Sequence, residues 1–128
     1  MESRAQRRIP ASLYAGIAAL VALVVLSFQQ LSIKELLHTR GRFHFWGHFG
    51  FFALIEVLLA TGLGSLRSRL IGAGAMIGVG CAIEVLQNLI YGQPVETSDM
   101  LVDALGVIAG LILVLLWDRL TSASRLHR

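Results

Sequence analysis

Apolar residues gather along this chain in four long runs, separated by short polar stretches. The runs cover about 11–28, 45–62, 70–90 and 100–117. Each approaches the roughly 20 residues that carry a helix across a bilayer. Helices are the expected form, because a segment in lipid must satisfy its backbone hydrogen bonds internally. The pattern predicts an all-α fold, a single domain over 1–128 built as an integral membrane four-helix bundle. Leu31, Ile33, Leu36 and Leu37 predict a short interfacial helix over 31–38, in the longest connection. Gly92, Gln93 and Pro94 mark a tight turn between the third and fourth helices. Gly62 and Gly64 read as helix-end glycines. The basic start of the first run also suits a secretory signal peptide, but no convincing small-x-small cleavage site follows it.

Composition strengthens the membrane reading. The chain is 55% hydrophobic and 15% charged, against about 25% charged for a soluble domain. Its 11 Lys and Arg residues sit at the tails and in the loops. No basic stripe with interleaved aromatics appears, so nucleic acid is set aside as a partner and membrane lipids are expected instead. Arg4, Arg7, Arg8, Arg67, Arg69, Arg119, Arg125 and Arg128 fall on one side of a four-pass arrangement; only Lys34, Arg40 and Arg42 fall on the other. By the positive-inside rule both termini are cytoplasmic, which predicts a multi-pass protein of a bacterial cytoplasmic (inner) membrane. Trp46 and Trp117 read as anchors at the membrane interfaces. Cys81 is the only cysteine, so no internal disulfide forms.

The polar residues inside the apolar runs carry the candidate chemistry, because a charged group at the centre of a membrane helix costs about 2.5–3.5 kcal/mol on insertion scales. His48 lies about one turn into the second helix, Glu84 and Gln87 near the end of the third, and Asp99 and Asp103 in the first turns of the fourth. In an alternating bundle these fall at one depth, in the outer layer. Glu84 and Gln87 are three apart, and Asp99 and Asp103 four apart, so each pair shares a helix face. His44, His48, Phe52 and Glu56 form a stripe along the second helix, with Glu56 about 12 Å deeper than His48. The predicted polar cluster is therefore His48, Glu84, Gln87, Asp99 and Asp103, with His44 and Glu56 as additional candidates. Each has a structural alternative. Asp99 also suits a helix start, Glu84 with Gln87 suits interhelical hydrogen bonding, and His48 suits an ordinary interfacial histidine. Gly74 and Gly78, and Gly106 and Gly110, are small-xxx-small pairs, which predict close packing of the third helix on the fourth and Glu84 and Gln87 pressed against Asp103.

These blocks resemble the VanZ-like family of small bacterial membrane proteins. The family carries a His near the start of its second helix, a Glu-x-x-Gln at the end of the third, and an Asp at the start of the fourth followed by Asn, Gly and Gly at fixed offsets. His48, Glu84, Gln87, Asp99, Gly106 and Gly110 match. Phe45 stands where Lys is usual and Phe52 where Tyr is common. Asp103 replaces the Asn, and no Arg lies between Tyr91 and Asp99. The resemblance spans roughly 45–116. The family is linked to low-level teicoplanin resistance and has no established common activity, so the resemblance implies a cell-envelope membrane protein. The absent Lys and Arg weigh against an anion-binding role here, and Asp103 and Glu56 make this chain more acidic than the family pattern.

Three function classes follow. The first is a non-enzymatic envelope protein that binds a lipid or amphipathic ligand at the outer leaflet and contributes to envelope or glycopeptide resistance. The second is an intramembrane enzyme acting on a lipid-linked substrate, with His48 as acid, base or metal ligand beside the carboxylates. No complete metal motif such as His-Glu-x-x-His is present, and no cofactor is expected. The third is a proton- or cation-coupled element using Glu56, acting as a homo-oligomer or as a helical subunit of a larger membrane complex.

Overall fold

The computed structural model describes residues 9–28 and 42–126, with the side chains at 42–44, 125 and 126 excepted. Four helices account for most of this: α1 (Ala11–Ser27), α2 (Arg42–Gly62), α3 (Leu66–Tyr91) and α4 (Thr97–Leu126). The expected interfacial helix over 31–38, the basic residues Lys34 and Arg40, and any cover that loop 29–44 makes over the site lie outside the described residues. So do the side chains of His44 and Arg42.

Local chemistry explains where the helices stop and start. Ser65 caps α3: its hydroxyl accepts the Ser68 N–H at 3.1 Å, and the Ser68 hydroxyl accepts the Ser65 N–H at 3.3 Å. This reciprocal arrangement satisfies two donors that a helix start otherwise leaves open. At the other end of α3, Gly92 takes a left-handed conformation, φ 65°, and its N–H donates to the Asn88 carbonyl at 2.9 Å. A side chain would be strained there, which is why glycine ends this helix. The fourth helix is longer than its apolar run, which covers only about 100–117. It begins at Thr97 and continues through Asp118, Arg119 and Thr121 to Leu126. A helix needs no apolar residues to persist, and the Thr121 hydroxyl turns back onto the Trp117 carbonyl at 2.9 Å.

α2 is the centre of the bundle. It packs most extensively on α4, then on α1, while α3 closes against α4 and more lightly against α2. Each helix buries one stripe at helical spacing. On α4 the stripe is Asp99, Val102, Asp103, Gly106, Val107, Gly110 and Val114. On α2 it is Phe52, Ile55, Glu56 and Ala60, and on α3 it is Ala73, Met76, Gly80, Ile83 and Glu84.

The glycines correct the predicted packing. A Cβ added at Gly106 would lie 2.5 Å from the Phe49 carbonyl oxygen, and one at Gly110 would lie 2.5 Å from that of Ala53. The close approach therefore joins α4 to α2, not to α3. Gly74 and Gly78 take no part in packing, since a Cβ at either meets nothing within 4 Å. Gly80 faces the core instead, because one residue turns a helix by about 100° and places Gly78 and Gly80 on different faces. Gly62 does more than end a helix: a Cβ there would meet the Leu13 Cβ at 2.8 Å, and one at Gly16 would meet Leu59 Cδ2 at 2.7 Å. These two glycines let α1 lie close along α2.

Three helices are long and apolar enough to cross a membrane, over Phe45–Gly62, Leu66–Tyr91 and Thr97–Ser124. At 17 residues, α1 is shorter; it reaches about 25 Å, against about 30 Å of hydrocarbon. The outer surface exposes Leu54, Ile71, Leu89, Leu101, Leu113 and Leu120, among many other large apolar side chains. A soluble monomer rarely exposes so much contiguous apolar surface, whereas lipid covers it without cost.

Candidate functional site

The bundle gathers its polar side chains at the end where α1 and α3 finish and α2 and α4 begin. The connection is antiparallel, so the first turns of α2 and α4 stand beside the last turns of α3. This is the depth coincidence expected from spacing, and three helices contribute to it.

The centre is a contact between α2 and α4. His48 Nδ1 lies 2.9 Å from Asp103 Oδ1. A carboxylate only accepts hydrogen bonds, so the imidazole donates from Nδ1 and presents Nε2 on its other side. Nε2 lies 4.0 Å from Asp99 Oδ2, one turn nearer the end of the bundle. That separation is too long for a hydrogen bond but within range of charge attraction once the ring is protonated. The Asp103 side chain is 4% exposed and that of His48 is 25% exposed. The pair therefore has a buried anchor and an accessible tip. Asp99 lies inside the first turn of α4 and is buried with its carboxylate towards His48, while Thr97 and Ser98 are exposed. The dipole at the helix start favours an acid there in addition.

α3 contributes differently from the expectation. Gly80, not Glu84 or Gln87, stands against Asp103: a Cβ at Gly80 would be 3.1 Å from Asp103 Oδ2. The missing side chain makes room for the carboxylate. Glu84 lies one turn further along, buried, with Oε2 accepting the Glu96 N–H at 3.2 Å. It ties the connection before α4 to α3 and remains within electrostatic reach of His48 and Asp99. Gln87 leaves the cluster. Its amide donates to the Ser27 carbonyl at 2.7 Å, and one turn on the Tyr91 hydroxyl donates to the Phe28 carbonyl at 2.9 Å. Both bonds satisfy carbonyls that the end of α1 leaves open. The Asn88 amide likewise serves the turn, donating to the Gln93 carbonyl.

Glu56 lies two turns below His48 on the same face of α2. It is 1% exposed, and neither carboxyl oxygen has a hydrogen-bond partner among the described residues. At the far end of the bundle Arg69 forms a second polar junction. Its guanidinium donates from Nε to the Leu63 carbonyl at 2.9 Å and from an η nitrogen to Asp118. By sequence alone Arg69 reads only as a topology signal. A basic residue in the first turn of one helix, opposite an acid at the close of another apolar run, is the signal that reveals it.

Chemically, Asp103 fixes the ring and the hydrogen position of His48, and an imidazole held in this way can exchange a proton at its other nitrogen. Among the described residues no group of three or more His, Cys, Asp or Glu side chains is arranged to hold a metal ion. No family model, curated protein or solved structure matches this chain.

Proposed function

We propose that this chain is a VanZ-like, multi-pass protein of a bacterial inner membrane, with both termini cytoplasmic. It binds a lipid or amphipathic ligand at the outer leaflet and contributes to protection of the envelope. The single observation that carries this reading is the convergence of His48, Asp99 and Asp103, with Glu84 beside them, at one end of a bundle whose outer surface is largely apolar. Such a layer offers an amphipath polar partners at headgroup depth, while the exposed apolar faces below accept its hydrocarbon. The family-like order of His48, Glu84-x-x-Gln87, Asp99, Gly106 and Gly110 supports the same reading. Gly106 has a physical reason to be glycine, since it permits the α2–α4 approach that brings His48 to Asp103.

The test is antibiotic susceptibility in cells lacking the protein, complemented with wild type, Asp103→Ala or Glu84→Gln at equal membrane abundance. Selective sensitivity to glycopeptides or other envelope drugs, rescued by wild type and by neither variant, is the expected result. Full rescue by both variants reduces the layer to a structural junction.

One observation favours a second reading. The Asp103–His48 hydrogen bond is the arrangement by which a carboxylate orients an imidazole for proton transfer. An intramembrane enzyme acting on a lipid-linked substrate would use Nε2 as its acid or base. Product formation from such a substrate, abolished by His48→Gln with binding intact, separates this reading from binding alone.

A further inference from the structure

Among the described residues, Glu56 is the one buried acid that the site above does not use. The other buried acids, Glu84, Asp99 and Asp103, belong to the His48 end. Glu56 stands about 12 Å below His48 along α2, eight residues at 1.5 Å each. Gly110 opposes it on α4, where a Cβ would come within 3.0 Å of the Glu56 Cβ. The seam is tight: Phe52 closes it above, at 1% exposure, and the Gly106 and Gly110 backbones lie directly on α2.

No charged side chain among the described residues is a hydrogen-bond partner of the Glu56 carboxyl. On α2 the nearest titratable group is His48. On α4 the described charged groups are Asp99 and Asp103, before Gly110, and Asp118 and Arg119, eight and nine residues after it. On α3 the titratable groups are Arg67, Arg69, Cys81, Glu84 and Tyr91, of which Arg69 is bound to Asp118 and Glu84 to the Glu96 N–H. On α1 only Tyr14 is titratable, and it is exposed. A metal cation needs several oxygen ligands, and the Glu56 carboxyl is the only buried side-chain oxygen group at this depth among the described residues. A proton needs one oxygen.

We propose that Glu56 is a proton-binding site whose occupancy controls the α2–α4 seam. With the proton bound, the carboxyl is neutral and the seam stays closed over it. With the proton released, an unpartnered carboxylate in an apolar seam carries a heavy desolvation penalty. It is relieved only when α2 and α4 part and admit water or another partner. The proton thus binds the closed state better than the open one, and binding of that kind shifts the equilibrium between them. Because His48 and Asp103 face each other across the same seam, its opening also parts the polar layer above. This inference concerns Glu56 alone and stands independently of what the outer layer binds.

The test uses the full chain in lipid nanodiscs, with glutamate labelled by carbon-13 at the side-chain carboxyl. Infrared spectra are recorded across pH, alongside hydrogen exchange of peptides covering 49–56 and 103–110, each rate expressed relative to the intrinsic base-catalysed amide rate at that pH. The expected result is a neutral-carboxyl band at neutral pH that shifts with the glutamate label and disappears in alkali, together with faster exchange in both peptides. Glu56→Gln, which keeps the shape and cannot titrate, removes the band and holds exchange slow across the range. The His48→Gln variant keeps the band, which separates Glu56 from the layer above. The proposal is overturned if wild type lacks the band at neutral pH, a reading that needs no variant to fold. It is also overturned if alkali speeds exchange equally in Glu56→Gln, or if the band is lost while exchange stays unchanged.

Discussion

His48 and Asp103, 55 residues apart in sequence, meet at 2.9 Å across the α2–α4 interface. Neither helix makes a site alone. His48 by itself is an interfacial histidine, and Asp103 by itself is an acid set one turn too deep for a helix cap. Their contact converts two costly residues into one satisfied pair, and it depends on the glycine-mediated approach just below it.

The pair is expected to behave as a unit. Asp103→Ala removes the acceptor that the His48 Nδ1 uses in a largely buried place, at a cost of about 1–3 kcal/mol. His48→Ala in turn removes the donor to the Asp103 carboxylate. The double variant is less harmful than the sum of the two, with a coupling of about 0.6–2 kcal/mol. A double-mutant cycle on unfolding in lipid or mild detergent measures this, and additive effects mean that the two side chains do not interact.

The glycines separate the observed packing from the packing that sequence spacing suggests. Gly106→Ala or Gly110→Ala drives a methyl group into an α2 backbone carbonyl, so overpacking is expected to cost about 1–3 kcal/mol. Gly74→Ala and Gly78→Ala face open space. They are neutral or stabilise by up to about 1 kcal/mol through helix propensity. Thermal unfolding of the four single variants in one detergent decides between these outcomes. Equal loss at Gly74 and Gly106 contradicts the arrangement.

At the opposite end, Arg69 joins α3 to the Leu63 carbonyl and to Asp118. The Asp118 side chain is 48% exposed, so the ion pair itself contributes little, about 0.2–1 kcal/mol, and weakens in salt. Arg69→Lys keeps the charge but loses the fork that serves both acceptors at once. It is therefore expected to destabilise more than Asp118→Asn, and its effect survives high salt. Unfolding midpoints of both variants at low and high salt provide the check, and equal, fully salt-screened losses would point to simple charge pairing.

These contrasts show which parts of the molecule are legible in the chain. The apolar runs locate four helices, and their alternation places His48, Glu84, Asp99 and Asp103 at one end, because depth follows from counting residues. Azimuth is harder. A small-xxx-small pair shows that a helix face is small and leaves its partner unspecified, so Gly106 and Gly110 point equally to α2 or α3. α3 carries Gly72, Gly74, Gly78 and Gly80, and one step along that series selects the wrong face. Gln87 shares a face with Glu84 by spacing, yet its amide turns to the open Ser27 carbonyl of α1. No periodicity within α3 announces a partner 60 residues away.

The central claim is that the layer of His48, Asp99, Asp103 and Glu84 holds a lipid or amphipathic ligand. Native mass spectrometry of the full chain, released from membranes in mild detergent, tests it directly. Wild type and Asp118→Asn, which changes only the far end, are expected to retain a lipid-sized adduct that His48→Ala and Asp103→Ala lose. Identical adducts across all four proteins, or none on a folded wild type, would contradict the claim.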